Sequence, residues 1–233
     1  MIERFDGNYG WLSNFAPCTV KWQNIVFHSV EAFYQAMKSA DPAVIATFVN
    51  MTAREAKKAG KTVIMRDDWD DIKLDVMSYG LEQKFISGNN PELTEKLIAT
   101  GNEQLVEGNW WHDNFWGDCY CLKCKWDVGQ NQLGRMLMII RDKLAKSATK
   151  VVHCKKEEFD IYIGRGSIWG NPFPINEHQD RDTVVKKYET YIRSRADLLA
   201  QLHTLKGKRL GCYCSPQACH GDVLVKLIKE RGL

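Results

Sequence analysis

Glu31, Gln35 and Lys38 place a carboxylate, an amide and an ammonium at i, i+4 and i+7, so a helix through them carries all three on one side. A carboxylate in that company suits a general base or the stabilisation of a developing cation. The helix itself is predicted by the residues between, because Val30, Phe33, Tyr34 and Met37 repeat the same spacing and form a face to bury. Ser29 is the expected N-cap. It puts Glu31 in the first turn, where unpaired backbone N–H groups and the helix dipole favour an ionised carboxylate. The same triplet would equally make a solvated i, i+4 network, the commoner fate of charges at helix starts.

Two cysteine groups are the next candidates for chemistry. Cys119, Cys121 and Cys124 form C-x-C-x-x-C, which can hold Zn²⁺ with a fourth ligand from His112 or Cys18 and would then pin the surrounding loop. Cys212, Cys214, Cys219 and His220 offer four N/S donors within nine residues, a run too tight to wrap one tetrahedral ion easily. Small buried thiols are the plainer reading of that second group. A third reading makes Arg165, Asn171, His220 and Asp222 a nucleotide or phosphate site, with His220 near a helix N-terminus.

The elements that must position these residues are mostly legible. Thr52-Ala53-Arg54-Glu55 is a capping box for a helix over 53–59, with Gly60 as its expected stop. A long helix with two apolar faces runs from Trp69 to about Phe85. Asn90-Pro91 opens another that ends at Gly101, and Glu103 to Glu107 reads as a short strand. Asn109 to Gln130 has neither periodicity and should be a contact-rich loop, while Leu133, Met136, Leu137, Ile140 and Leu144 mark an amphipathic helix ending in a linker over 145–149. Beyond it, strands at 150–153, 159–163 and 208–212 alternate with helices at 181–194, 197–205 and 222–230. That order suggests a small α/β layer.

Composition agrees with two domains in 233 residues. Seven of eight tryptophans precede residue 127, and 17 basic against 19 acidic residues in 1–148 become 15 against 10 thereafter. Net charge thus passes from −2 to +5, and a basic half suits contact with phosphate or nucleic acid. The first residues lack a basic, apolar leader and no window is apolar enough for a membrane span, so a cytoplasmic protein without membrane contact is expected. Eight cysteines, most of them clustered, suit reduced thiols or metal better than a disulfide framework.

Residues 1–148 resemble the NADAR, or YbiA-like, family. The resemblance is carried by Ser13-Asn14-Phe15, by V-E-x-x-x-Q-A-x-K from Val30 to Lys38, by a Trp after Arg66 at the head of the middle helix, by Trp116-Gly117-Asp118, and by Asn131-Gln132-Leu133-Gly134. It implies an α+β protein: a helix-rich YbiA-like N-terminal domain with a small β element, followed at 150–233 by the small α/β domain. It also implies an N-glycosidase that needs no cofactor for catalysis, a structural zinc apart. Its substrates would be phosphoribosylamino-pyrimidine intermediates of riboflavin synthesis, or ADP-ribose on guanine bases of nucleic acid or nucleotides.

By the same resemblance Glu31 matches the essential glutamate, Trp69 and Trp116 match aromatic site residues, and Asp118 matches the acid after Trp-Gly. Asn14, Lys38, Arg66, Glu107 and Asn131 follow as further matches. Chemically, cleaving an N-glycosidic bond passes through an oxocarbenium-like state and needs one carboxylate for water or the cation and one group for the leaving nitrogen. Glu31 is assigned the first task and Asp118 or Glu107 the second. Trp69, Trp116 and Phe15 are expected to sandwich a base, and Lys38 or Arg66 to hold a phosphate. Residues 150–233 resemble a small bacterial and phage family of unknown function, through Tyr162-Ile163-Gly164-Arg165, Trp169-Gly170-Asn171-Pro172-Phe173 and the run from Cys212 to Asp222. An ADP-ribosyl glycohydrolase whose basic second domain contacts nucleic acid is the leading expectation. A riboflavin-pathway N-glycosidase and a non-catalytic ADP-ribose-binding module are the alternatives.

Overall fold

The computed structural model describes residues 1–124 and 126–232. The chain is α+β and divides into two compact units, Met1–Ala145 and Lys146–Leu233. In the first, helix α1 (Val30–Ala36) is buried on every side, its Ser29 cap accepting from the Ala32 N–H at 3.0 Å. It is enclosed by α2 (Pro42–Thr47), α3 (Ala53–Ala59) and α4 (Trp69–Phe85). A hairpin, β1 (Val20–Trp22) with β2 (Ile25–Phe27), packs on α1 and α4. Helix α5 (Pro91–Ala99) lies against α4, and α6 (Gln132–Ser147) closes the unit. Its apolar core runs through Leu12, Phe27, Phe33, Leu81, Phe85, Leu97, Leu105 and Leu137.

Local signals acted partly as expected. The Thr52–Glu55 box is formed in both directions, and Gly101 ends its helix with φ +57°. Gly60 does not work that way, since it stays right-handed at φ −63°. Packing favours glycine there instead, because a Cβ would overlap the Gln35 carboxamide and force it to move. Asn90 does precede α5 but does not cap it: its buried carboxamide accepts from Thr19 N and donates to the Thr19 and Lys84 carbonyls, tying three segments together. The strand expected over 103–107 reduces to a bridge between Leu105 and Ile2, and the paired segment starts one residue later, with β3 (Gly108–Asn109) parallel to β4 (Asp118–Cys119). The expected linker over 145–149 is largely helical, because α6 continues to Ser147.

The second unit is a three-stranded parallel sheet in the order β5 (Lys150–His153), β7 (Arg209–Cys212), β6 (Ile161–Tyr162). Helices α7 (Arg181–Ser194), α8 (Ala196–Gln201) and α9 (His220–Glu230) bury Tyr188, Ile192, Leu198, Leu224 and Leu227 around Leu210 of the central strand. Cys212 ends that strand, and the chain reaches α9 through a cap in which Cys219 Sγ accepts from Gly221 N and the Asp222 carboxylate accepts from Cys219 N. No helix among the described residues is long and apolar enough to cross a membrane.

Candidate active site

One cavity of about 560 Å³ in the first unit collects Asn14, Phe15, Glu31, Gln35, Lys38, Trp69, Glu107 and Trp116. Its floor is built from α1. The orphan N–H of Glu31 donates to the Asn14 carbonyl at 3.0 Å, and the fully buried Lys84 donates to the Ser13 carbonyl at 2.8 Å, so the Ser-Asn-Phe segment is held from both sides. Glu31 is 6% exposed, and its Oε1 accepts from Gln35 Nε2 at 2.9 Å. Asn14 Oδ1, Gln35 Oε1 and Glu107 Oε2 are buried with no hydrogen-bond partner in the protein, and all three residues line this cavity. Unpaired buried polar atoms are costly, and three on residues lining one hollow, two of them amide acceptors, mark a place for a polar ligand.

Burial dominates the electrostatics. It raises the Glu31 carboxyl above the ordinary glutamate range, against the Gln35 amide and the Lys57 and Lys38 ammonium groups, which pull it back. The first-turn position was expected to favour the ionised form, but desolvation outweighs it. The larger shift falls on Glu107, pushed up to about 7 by burial, with the Asp113 carboxylate adding to the rise and Lys57 opposing it. Both carboxyls are raised and Glu107 the further of the two, so Glu107 holds its proton to higher pH than Glu31, the order that acid and base roles require. Burial also lowers the Lys38 ammonium, which Glu31 partly restores.

Two motifs converge on the backbone around Glu107. Asn131 Oδ1 accepts from Glu107 N at 3.0 Å while its amide donates to the Leu105 carbonyl at 2.8 Å. Asp118 N donates to the Glu107 carbonyl at 3.0 Å. A Cβ on Gly117 would overlap that same carbonyl, and one on Gly134 the Leu105 carbonyl. The glycines of Trp-Gly-Asp and Asn-x-Leu-Gly therefore permit a close approach that sets the Glu107 side chain. Asp118 and Asn131 were expected in the site itself. Neither lines the cavity: Asp118 Oδ1 accepts from Gly129 N at 2.8 Å, and Asn131 spends its amide on the main chain. Arg66 is also elsewhere, paired with Asp68 and lining a different hollow.

The aromatic walls differ from the expected sandwich. Trp69 and Trp116 both meet Tyr34 edge-on, at centroid distances of 5.0 and 5.5 Å, so they brace one another through a third ring. The rings left exposed at the cavity are Phe15 and Trp111. Trp111, Lys57, Asp113 and Tyr34 escaped sequence reasoning. Tyr34 was assigned to packing, and Lys57 is one helical lysine among several. Asp113 and Trp111 lie in an aperiodic loop, where only their density of Trp and Asp hinted at a site.

Two thiol groups are assembled. His112, Cys119, Cys121 and Cys124 bring their donor atoms within 4.8 Å of one another, whereas Cys18 lies beside Lys84. In the second unit Cys212, Cys214 and Cys219 cluster similarly, without His220. His220 Nε2 lies 2.8 Å from the Ile163 carbonyl, an acceptor only, so Nε2 carries the proton and Nδ1, 3.7 Å from Cys219 Sγ, keeps its lone pair toward the thiols. Arg165, Asn171, Cys212, Cys214 and His220 line a cavity of about 380 Å³, but Asp222 is committed to the α9 cap.

The first unit is thus helix-rich, with two carboxyls, Glu31 and Glu107, on the wall of one cavity. The chain belongs to the NADAR family, whose domain model matches residues 3–145, and residues 147–230 match a domain of unknown function, DUF4326. It is 37% identical to an N-glycosidase of Nostoc punctiforme, over 58% of this chain and 86% of that protein. A riboflavin biosynthesis protein of Vibrio vulnificus is 34% identical over 61% of this chain, which spans only 38% of that longer protein. The NMR structure of Escherichia coli YbiA superimposes with a TM-score of 0.52 at 29% identity, covering 62% of this chain and 87% of the other. An uncharacterized 12.4 kDa protein of phage T4 matches 35% of this chain at 35% identity and 78% of its own length.

Proposed function

We propose that the first unit hydrolyses an N-glycosidic bond between a ribosyl C1 and the nitrogen of a guanine-type base, with an ADP-ribosyl group as the sugar. The observation carrying this reading is the pair of carboxyls that line one cavity, buried Glu31 and half-buried Glu107, both raised. Glu107 donates its proton to the departing nitrogen as the C1–N bond breaks. Glu31 faces the positive charge that develops at C1 and takes a proton from the water whose oxygen bonds to C1. Both carboxyls regain their starting state once the proton on Glu31 returns to Glu107 through solvent. No metal or cofactor enters these steps.

Binding is divided among the other walls. Phe15 and Trp111 stack on the base, a contact worth roughly 1–3 kcal/mol. Lys38 and Lys57 meet the phosphate groups, and the unpaired acceptors of Asn14 and Gln35 receive ribose or base donors. The basic second unit, with Arg165 and Arg181 in its cavity, supports a nucleic-acid-borne or nucleotide substrate. A riboflavin-type substrate draws its support from the Vibrio vulnificus relative, whose name carries that role.

The test offers the full chain ADP-ribosylated guanine DNA, NAD and a phosphoribosylamino-pyrimidine, and follows released sugar by mass spectrometry. Turnover of the first substrate supports the proposal, and turnover of the pyrimidine alone transfers the site to the metabolic role. No product from any, with affinity for ADP-ribose kept in Glu31→Gln, would make the unit a binding module.

A further inference from the structure

We propose that His112, Cys119, Cys121 and Cys124 bind one structural Zn²⁺, which fixes the loop forming one wall of the cavity. His112 Nδ1 lies 3.1 Å from Cys121 Sγ and 3.3 Å from Cys124 Sγ, and all four donors fall within 4.8 Å of each other. With Zn–S near 2.3 Å and Zn–N near 2.0 Å, the edges of a tetrahedral Cys₃His site are roughly 3.5–3.8 Å. The two His112–sulfur edges therefore need to lengthen by only a few tenths of an ångström to take the ion. None of these cysteines is in a disulfide.

A second observation concerns the backbone. His112 sits at φ +69°, in the left-handed region that few non-glycine residues adopt, histidine being among the more frequent of them. It is held there by Asn109, fully buried, whose carboxamide accepts from Trp111 N and Asp113 N and donates to the Asp113 carbonyl. A turn that would accept glycine instead carries an imidazole aimed at three thiols. The N–H of Cys124 also donates to Cys121 Sγ at 3.4 Å, the kind of outer hydrogen bond that supports a thiolate ligand.

Four protein donors leave no open position, so the ion would be structural rather than catalytic. Trp111 and Asp113 flank His112 in sequence and line the cavity, and Trp116 precedes Cys119 by three residues. The ion would thus hold a stacking ring and the carboxylate that raises Glu107. Zinc binding stands apart from the glycosidase reading, because its measurement needs no substrate.

The experiment uses the full chain in a Cys212→Ser, Cys214→Ser, Cys219→Ser background, which removes the other thiol cluster. Metal analysis should find one zinc per chain, lost from Cys121→Ser/Cys124→Ser. Replacing zinc by Co²⁺ should produce the visible ligand-field bands of a tetrahedral thiolate site, shifted by His112→Ala. Because the double serine variant can misfold, release is also followed in the background protein with a thiol-blocking reagent and a zinc indicator. Less than a tenth of an equivalent of zinc released there, or a Cys121–Cys124 disulfide in the freshly purified protein, would overturn the assignment. Zinc content unchanged in Cys121→Ser/Cys124→Ser would do the same.

Discussion

Glu107 is half-buried and feels the Asp113 carboxylate, and its pKa, pushed up to about 7, makes the basic limb of the pH dependence of turnover a readout of that side chain. The rate should fall on the basic side around pH 7, as the proton needed by the leaving nitrogen is lost. On the acid side it should fall above the ordinary glutamate range, because Glu31 is raised as well. A kcat/KM profile that is flat from pH 6 to 9 would remove Glu107 from the acid role. Stability carries the same signature. Glu107 has a folded pKa above its unfolded value, so its contribution is fully present below about 4.5 and is lost as pH rises through about 7. Glu107→Gln should therefore be more stable than the native chain at pH 8, by on the order of 3 kcal/mol at most, and no more stable at pH 4, while losing turnover. Thermal unfolding at the two pH values measures this. Glu31→Ala should lower turnover at least ~100-fold with the fold intact, by circular dichroism and product formation.

At the scale of elements, side chains far from the reacting atoms decide where the carboxyls point. Helix α1 meets α3 at Gly60, directly against Gln35. Gly60→Ala should displace the Gln35 carboxamide, release Glu31 from its 2.9 Å hydrogen bond and cost about 1–3 kcal/mol, checked by denaturant unfolding together with KM. Asn90 ties the β1 approach to the end of α4, close to Lys84 and the Ser-Asn-Phe segment. Asn90→Ala leaves a buried N–H and carbonyls unpaired and should cost about 1–3 kcal/mol. Helix starts and lengths were legible in the chain because capping and apolar periodicity are local, as with Ser29, Thr52 and the seventeen residues of α4. The strand of 103–107 was not, because its partner is Ile2, a hundred residues earlier, and one bridge carries no alternation.

For the whole molecule, the two units make separate demands. Residues 1–145 should retain hydrolysis of a nucleotide-sized substrate, since every cavity residue lies within them. On a DNA-borne substrate the truncated chain should show a raised KM and a weaker salt dependence, because the +5 half is gone. Equal KM and equal salt slopes for both forms would dissociate the second unit from substrate binding.

From the chain alone, the Glu31–Gln35–Lys38 stripe, the cysteine clusters and both family memberships could be read, since each depends on residues close in sequence. Tertiary structure decided which acids matter. It drew Glu107, Asp113 and Lys57 to one hollow and set Asp118 and Asn131 against the Glu107 backbone, outside the lining of that hollow. It also selected His112 over Cys18. The reason is physical: desolvation and charge proximity, which set a proton's affinity, depend on what lies within a few ångströms in space, and linear spacing carries no record of that.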